Sequence, residues 1–536
     1  MAMFAFVQIK ESKINACLKT KKLIMNSMYW SVGRPARRQV PARLGHALRL
    51  HIILTGCWLA LLFGGLTTMA APAAGFCVND FGAKADGTAT NTQAIQQAID
   101  SAAAAGGGLV TFQKGTYLSG AIFLKSNVHL ELSKGVVLRA IQDDGLFPEL
   151  PTRVAGIEMP WPAALVNVYQ QTNVTITGQG IIDGNGEYWW RKFWGADGEG
   201  GMLKDYRARG LRWAADYDCK RVRAVAVYAS NDVQIRDVGI NRSGFWSLAL
   251  IYSGHVTVDG VDIKANLGGL GPSSDGIDID SSHDILIQNC TVDCNDDDIC
   301  LKSGRDADGL RVNRPTENVI VRNCVTRAGG GMITIGSETS GGIRNVEVSH
   351  IKAYGTSNGI RFKSARCRGG IVENIFIHDI SMEGVENPLN FELNWYPAYS
   401  YATLPKGMDT NHVPAYWLTL IQKVEPPERG LPEFRNIVIS NLTATAAAQA
   451  IYVNAYSEKP IHDVRLENFR IEAKRPGAIS HAANWTMTDV VLATPAGGNL
   501  SLVDAKSVGL PRAVKLKPIL SAAASLNALA SPQSSN

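Results

Sequence analysis

Eight stretches of this chain obey one short rule. Each opens on a polar residue: Asp232, His255, Asp284, Asn318, Asn345, Asn374, Asn436 and Asp463. One and three positions on, the residues are apolar, as in Val233 with Ile235, Ile285 with Ile287, and Val464 with Leu466. Five on stands a polar or glycine column: Asp237, Gly260, Asn289, Asn323, His350, Asp379, Asn441 and Asn468. Six on, apolar residues resume, from Val238 to Phe469. Apolar alternation marks a strand with one buried face. Asn, Asp and Gly tolerate left-handed backbone, so the five-on column predicts a bend.

Successive starts lie 23, 29, 34, 27, 29, 62 and 27 residues apart. The interval of 62 reads as two coils, or as one coil with an insertion. A β-rich repeat of this length predicts a solenoid. A β-propeller would need blades of about 40 residues and four strands. The expectation is therefore an all-β protein, a right-handed, single-stranded parallel β-helix with little helix.

Composition needs one correction before it is used. The net charge of +5 is concentrated in residues 1–72, which hold ten Lys/Arg and one acid. The remainder carries 43 bases and 47 acids, so no general basic surface argues for nucleic acid. Residues 1–74 read as a leader. Arg43 and Arg49 precede an apolar run from Leu50 to about Leu66, and Ala70 to Ala74 offer small residues for cleavage. The run is short for a membrane span and is interrupted by Thr55, Thr67 and Thr68. Leu54-Thr55-Gly56-Cys57 looks like a lipoprotein box, but apolar sequence continues past Cys57. Among the nine cysteines, Cys290 and Cys324 fall in one inward column and read as stacked core residues; Cys294 and Cys300 could pair.

The solenoid is expected over residues 75–505, with a low-complexity tail over 506–536. Asp80 to Gly87 precede a helix with Ala94, Ile95, Ala98, Ile99 and Ala102 on its apolar face. A β-helix needs such a cap, since an open end coil would expose core and unpaired strand edges. Gly106-Gly107-Gly108 end that helix, and Leu109 to Phe112 read as the first strand. Two segments exceed the repeat. One, 185–222, holds Trp189, Trp190, Trp194, Tyr206 and Trp213; the other, 391–432, holds Trp395, Tyr396, Tyr399, Tyr401, Tyr416 and Trp417. They could form a binding wall for sugar rings or simply pack against the coils.

Three aspartates carry the candidate chemistry: Asp275, Asp296 and Asp297. The interval of 21 residues from 275 to 296 is close to one coil, which can bring them together on adjacent coils. Crowded carboxylates repel, so one pKa should rise. A protonated acid beside ionised partners is what inverting glycoside hydrolysis requires. Alone, an Asp run reads more readily as a solvated turn or a calcium site. Arg361 and Lys363 flank Phe362 and so share one side of a strand, a coil or two from the acids. Such a pair suits a substrate that bears its own carboxylate.

At these residues the chain resembles the polygalacturonases of glycoside hydrolase family 28, over about residues 76–490. Ser273-Ser274-Asp275 resembles the family's Asn-Thr-Asp motif. Asp296-Asp297, followed by Ile299 and Lys302-Ser303-Gly304, resembles Asp-Asp, and Arg361-Phe362-Lys363 resembles Arg-Ile-Lys. The resemblance implies Asp296 as general acid, Asp275 and Asp297 as holders of the water, and Arg361 with Lys363 as a grip on the galacturonate carboxylate. Gly336-Ser337-Glu338 with Ser340-Gly341-Gly342 looks like the bacterial, often exo-acting, branch. One motif departs: Gly330 stands where Gly-His-Gly has its histidine. Rhamnogalacturonan hydrolases of the family also lack it, though they usually depart at the second Asp and the Arg as well. The implied activity is inverting hydrolysis of galacturonate linkages in pectic polysaccharide, exo-acting, with no cofactor and no metal. The implied protein is secreted or periplasmic, monomeric, not stably inserted in a membrane and not a nucleic-acid binder. A rhamnogalacturonan hydrolase, a calcium-dependent pectate lyase and a non-catalytic carbohydrate-binding β-helix stay open as alternatives.

Overall fold

The computed structural model describes residues 75–516. The expected leader, its lipoprotein box and most of the expected tail lie outside those residues. All but two of the described strands join one sheet, and every pairing in it is parallel. The eight repeats lie in one register: Val233 pairs with Val256, and the row continues through Ile285, Val319, Val346, Ile375, Ile437 and Val464. The chain is a parallel β-helix, as expected. Each inward apolar residue stacks on its counterpart one coil away, which makes one continuous core.

The five-on column is left-handed throughout, from Asp237 at φ 59° to Asn468 at φ 56°. The start column is left-handed as well, from Asp232 at 56° to Asp463 at 57°. Only the first of these was expected. Two bends flank each short strand, and both columns use residue types that pay little for positive φ. The start column also forms a side-chain ladder. Asn318 Nδ2 donates to Asp284 Oδ1 (3.1 Å), Asn345 to Asn318 (3.2 Å) and Asn374 to Asn345 (3.2 Å).

The 62-residue interval is one coil with an insertion. Strand Ile371–Glu383 pairs directly with Glu433–Asn454, and the intervening chain leaves the coil after Asn387–Glu392. The capping helix spans Thr92–Ala104 and buries Ile95, Ala98, Ile99 and Ala102, while Ala94 is half-buried. The strand after it, Gly108–Thr111, is not the first. It pairs with Gly75–Cys77, which precedes the helix. At the other end, Ser501–Val508 and Arg512–Lys515 pair with Ile461–Thr494, so the coils continue past the expected boundary at 505. All seven described cysteines are free, including Cys294 and Cys300. Cys294 turns inward and donates to the Asp296 carbonyl, while Cys300 faces Asp297 and the Gly336 carbonyl.

The two insertions pack with the hairpin Glu149–Pro162 and with residues 245–252 of the coils into a second apolar cluster. It gathers Trp161, Trp213, Tyr217, Phe245, Trp246 and Trp417. The Trp213 indole donates to the Thr403 carbonyl (3.0 Å) and meets the Trp417 ring edge-on at 5.0 Å. The aromatics divide their labour. Trp189, Trp190, Trp213 and Trp417 are buried as packing, whereas Trp395, Tyr396 and Tyr399 line a cavity.

Candidate active site

Neighbouring coils bring the predicted acids together. Ile277 pairs with Ile299, so the turn carrying Asp275 lies against the start of strand Asp297–Lys302, and the Gly276 amide donates to the Asp297 carbonyl (2.9 Å). Two coils along, strand Asn358–Lys363 carries the cations: Cys300 pairs with Thr334, and Thr334 with Arg361. A cavity of about 150 Å³ is lined by Asp275, Asp296, Asp297, Lys302, Glu338 and Lys363 from the coils. Arg212, Asp216, Trp395, Tyr396 and Tyr399 line it from the insertions.

Asp297 is the best-satisfied carboxylate. Lys363 Nζ lies 2.6 Å from its Oδ2, and Arg361 Nη1 lies 3.1 Å from its Oδ1. Thr334 Oγ1 donates to the same Oδ1 at 2.8 Å. Burial acts to raise its pKa, but Lys363 and Arg361 outweigh burial and hold it well below the usual carboxylate range. Asp296 moves the other way. Burial, then the Asp297 charge beside it, raises its pKa. Asp275 is raised too, by burial and by Asp278 and Asp296. One raised carboxyl was expected and two are found. Asp275 and Asp297 are buried, Asp296 is half-buried, and both nearby cations of strand Asn358–Lys363 bond to Asp297.

Behind the acids lies a charged layer that sequence reasoning did not assign. Lys302 Nζ sits 3.4 Å from Asp278, 3.6 Å from Asp275 and 3.7 Å from Glu338. Burial pushes Asp278 up to about 7, with Lys302 acting against it. Glu338 is lowered to about 2, because Lys302 and Arg368 outweigh its burial. Lys302 and Glu338 appear in the sequence only as parts of quoted motifs. The structure singles Lys302 out: it ends a strand in which every residue is buried, and a buried lysine needs acids.

Gly330 faces this site. A Cβ built there would meet Asp296 Oδ1 and Arg361 Nη1 each at 3.5 Å, an ordinary contact. The glycine is therefore not required to relieve a clash. Its amide donates to the Asp296 carbonyl (2.7 Å), and its own carbonyl accepts from Asn358 (2.7 Å).

A parallel β-helix that sets a carboxyl with a raised pKa beside one held ionised, in a sugar-sized cavity walled by aromatic rings, defines a class: a carboxylate-dependent carbohydrate-active enzyme. The family model described as glycosyl hydrolases family 28 matches residues 152–414, and one described as rhamnogalacturonase A/epimerase, pectate lyase-like matches 76–131. A probable polygalacturonase of Vitis vinifera is 29% identical over 391 residues, covering 69% of this chain and 74% of that protein. An exo-poly-alpha-D-galacturonosidase of Dickeya chrysanthemi is 28% identical, covering 60% of this chain and 56% of that protein. Among solved structures, a hyperthermoactive exopolygalacturonase of Thermotoga maritima superposes with a TM-score of 0.66 at 27% identity, covering 81% of this chain and 92% of that one. The chain belongs to glycoside hydrolase family 28.

Proposed function

We propose that this protein hydrolyses α-linked galacturonate bonds of pectic polysaccharide with inversion, working from a chain end. The observation that carries the reading is the split between neighbours: Asp296 with its pKa raised, Asp297 held ionised by Lys363 and Arg361, both in one cavity. Asp296 donates its proton to the leaving oxygen. Asp297 takes a proton from the attacking water. Asp275, with a carboxylate oxygen within 4.8 Å of Asp297, helps hold that water. No nucleophile is needed, and the released sugar keeps the β configuration until it mutarotates.

End-on action is supported by the insertions. Arg212 Nε donates to Tyr396 Oη (3.1 Å), and Arg212, Tyr396 and Tyr399, all from the insertions, line the cavity. The exopolygalacturonase of Thermotoga maritima and the exo-poly-alpha-D-galacturonosidase of Dickeya chrysanthemi support the same mode. A calcium-dependent lyase fits the residues poorly, because the lone pairs of Asp297 that an ion would take are occupied by Lys363, Arg361 and Thr334.

The second reading is a rhamnogalacturonan hydrolase, which Gly330 at the position of the family histidine favours. Pectic substrate lies outside the cell, so the protein acts secreted or in the periplasm, as a monomer; no helix among the described residues is long and apolar enough to cross a membrane.

The test is turnover of polygalacturonate and rhamnogalacturonan by the purified protein. The expected result is small galacturonate products from the first minutes, slow loss of viscosity, and persistence in EDTA. Proton NMR should show the β-anomer first. Unsaturated products that require calcium would replace hydrolysis with elimination, and an α-anomer appearing first would replace inversion with retention.

A further inference from the structure

We infer that Arg212, supplied by the first insertion, reads the carboxylate of the sugar bound in the cavity. The inference rests on the hydrolase reading above and adds a recognition residue to it. The expectation from sequence gives that task to Arg361 and Lys363, yet both are already bonded to Asp297. Lys363 is also stacked 4.3 Å over the Trp395 ring. A substrate carboxylate that drew these cations away would leave Asp297 buried without its counter-charges. Recognition by a separate cation avoids that conflict.

Arg212 is placed for the task. It lines the same cavity as Asp275, Asp296 and Asp297. Its side chain keeps 16% of its surface accessible. Nη1 is paired with Asp216 Oδ2 (2.6 Å) and Nε with Tyr396 Oη (3.1 Å). Nη2 donates no hydrogen bond among the described residues, which leaves one edge of the planar fork free for an incoming oxygen. Tyr396 and Tyr399 place their rings 5.3 and 5.4 Å from the guanidinium and restrain its orientation.

The local charge favours an anion. Asp216 also pairs with Arg221 (2.9 Å), so one carboxylate serves two guanidinium groups and the cluster retains a positive charge. Burial works against Asp216 but the two arginines prevail, lowering it to about 2, so it stays ionised and keeps Arg212 fixed. Ser273 Oγ donates to Asp216 Oδ1 (2.9 Å), which ties this arginine to the Ser273-Ser274-Asp275 turn. A sugar carboxylate held on Arg212 is thereby referenced to the acids that act on the bond.

The test measures binding where turnover is removed. Trigalacturonate and its fully methyl-esterified form are titrated calorimetrically into Asp296→Asn protein, alone and combined with Arg212→Gln or Arg212→Lys. Losing one charge-assisted bond to a carboxylate predicts that Arg212→Gln weakens the acid on the order of 10–100-fold, while the ester changes less than about threefold. Arg212→Lys keeps the charge but loses the fork, so an intermediate loss for the acid alone is expected. Should the glutamine variant fail to fold, the lysine variant decides. Equal weakening of acid and ester, or an unchanged acid, overturns the inference. Turnover of wild-type protein is scored separately: its absence would remove the hydrolase reading, and the titrations would still decide Arg212.

Discussion

Two neighbouring aspartates have pKa values moved in opposite directions, because Asp297 takes both cations of strand Asn358–Lys363 and Asp296 is raised by desolvation and by the Asp297 charge. Activity then needs Asp296 protonated and Asp297 ionised. The rate should fall as pH rises through the raised Asp296 value, and fall again as pH drops through the depressed Asp297 value. Asp296→Asn removes the donated proton. Its kcat should drop about 10²–10⁴-fold with an unchanged circular dichroism spectrum. A drop of less than tenfold would take the acid role away from Asp296. Lys363→Met probes the other limb. Without that cation Asp297 moves up, so the acid limb of the kcat/KM profile should move about 1–3 pH units higher. A rise in KM with the limb unmoved would mean that Lys363 serves the substrate and not Asp297.

At the scale of the element, the Asn ladder is the repeated stabilising device. Asn345 sits at φ 57°, donates to Asn318 and accepts from Asn374. Asn345→Ala faces the left-handed cost of about 1–2 kcal/mol and loses both ladder bonds at about 0.5–1.5 kcal/mol each. Asn345→Gly keeps the backbone at ease and loses only the ladder, so it should fall between wild type and alanine in urea denaturation. If glycine and alanine destabilise alike, the left-handed bend contributes nothing measurable and the ladder alone stabilises the coil.

At the scale of the whole molecule, the solenoid is a scaffold, and the insertions pack on it through a second apolar cluster shared with the hairpin and residues 245–252. Register runs unbroken past the second insertion, Ile375 to Ile437, so the coils do not depend on it. Trp213 joins the two insertions through Thr403 and Trp417. Trp213→Ala should remove about 3–5 kcal/mol of packing from that cluster. The expected outcome is an earlier, separate transition in calorimetry, and faster proteolytic nicking near residues 197–210, with the solenoid transition nearly in place. A single transition shifted as a whole would mean that coils and insertions melt as one unit.

What the sequence determined by itself is what repeats. One buried face per strand writes apolar residues at fixed offsets, and a bend writes Asn, Asp or Gly, so the coils, the capping helix and the strand carrying Arg361 and Lys363 were legible. The meeting of Asp275 with Asp296 and Asp297 was legible too, because an interval of one coil turns sequence distance into contact. The second left-handed column was missed although His255, Asn318 and Asn345 were in view, since a polar residue at a strand start has several bland explanations. Tertiary structure alone decided which charges meet. Asp297 takes Arg361 and Lys363, Lys302 is shared by Asp275, Asp278 and Glu338, and Arg212 reaches the cavity from an insertion that obeys no repeat. The physical reason is that periodicity records burial, which is local to a strand, whereas the state of a buried charge depends on every group around it in space, most of them distant along the chain.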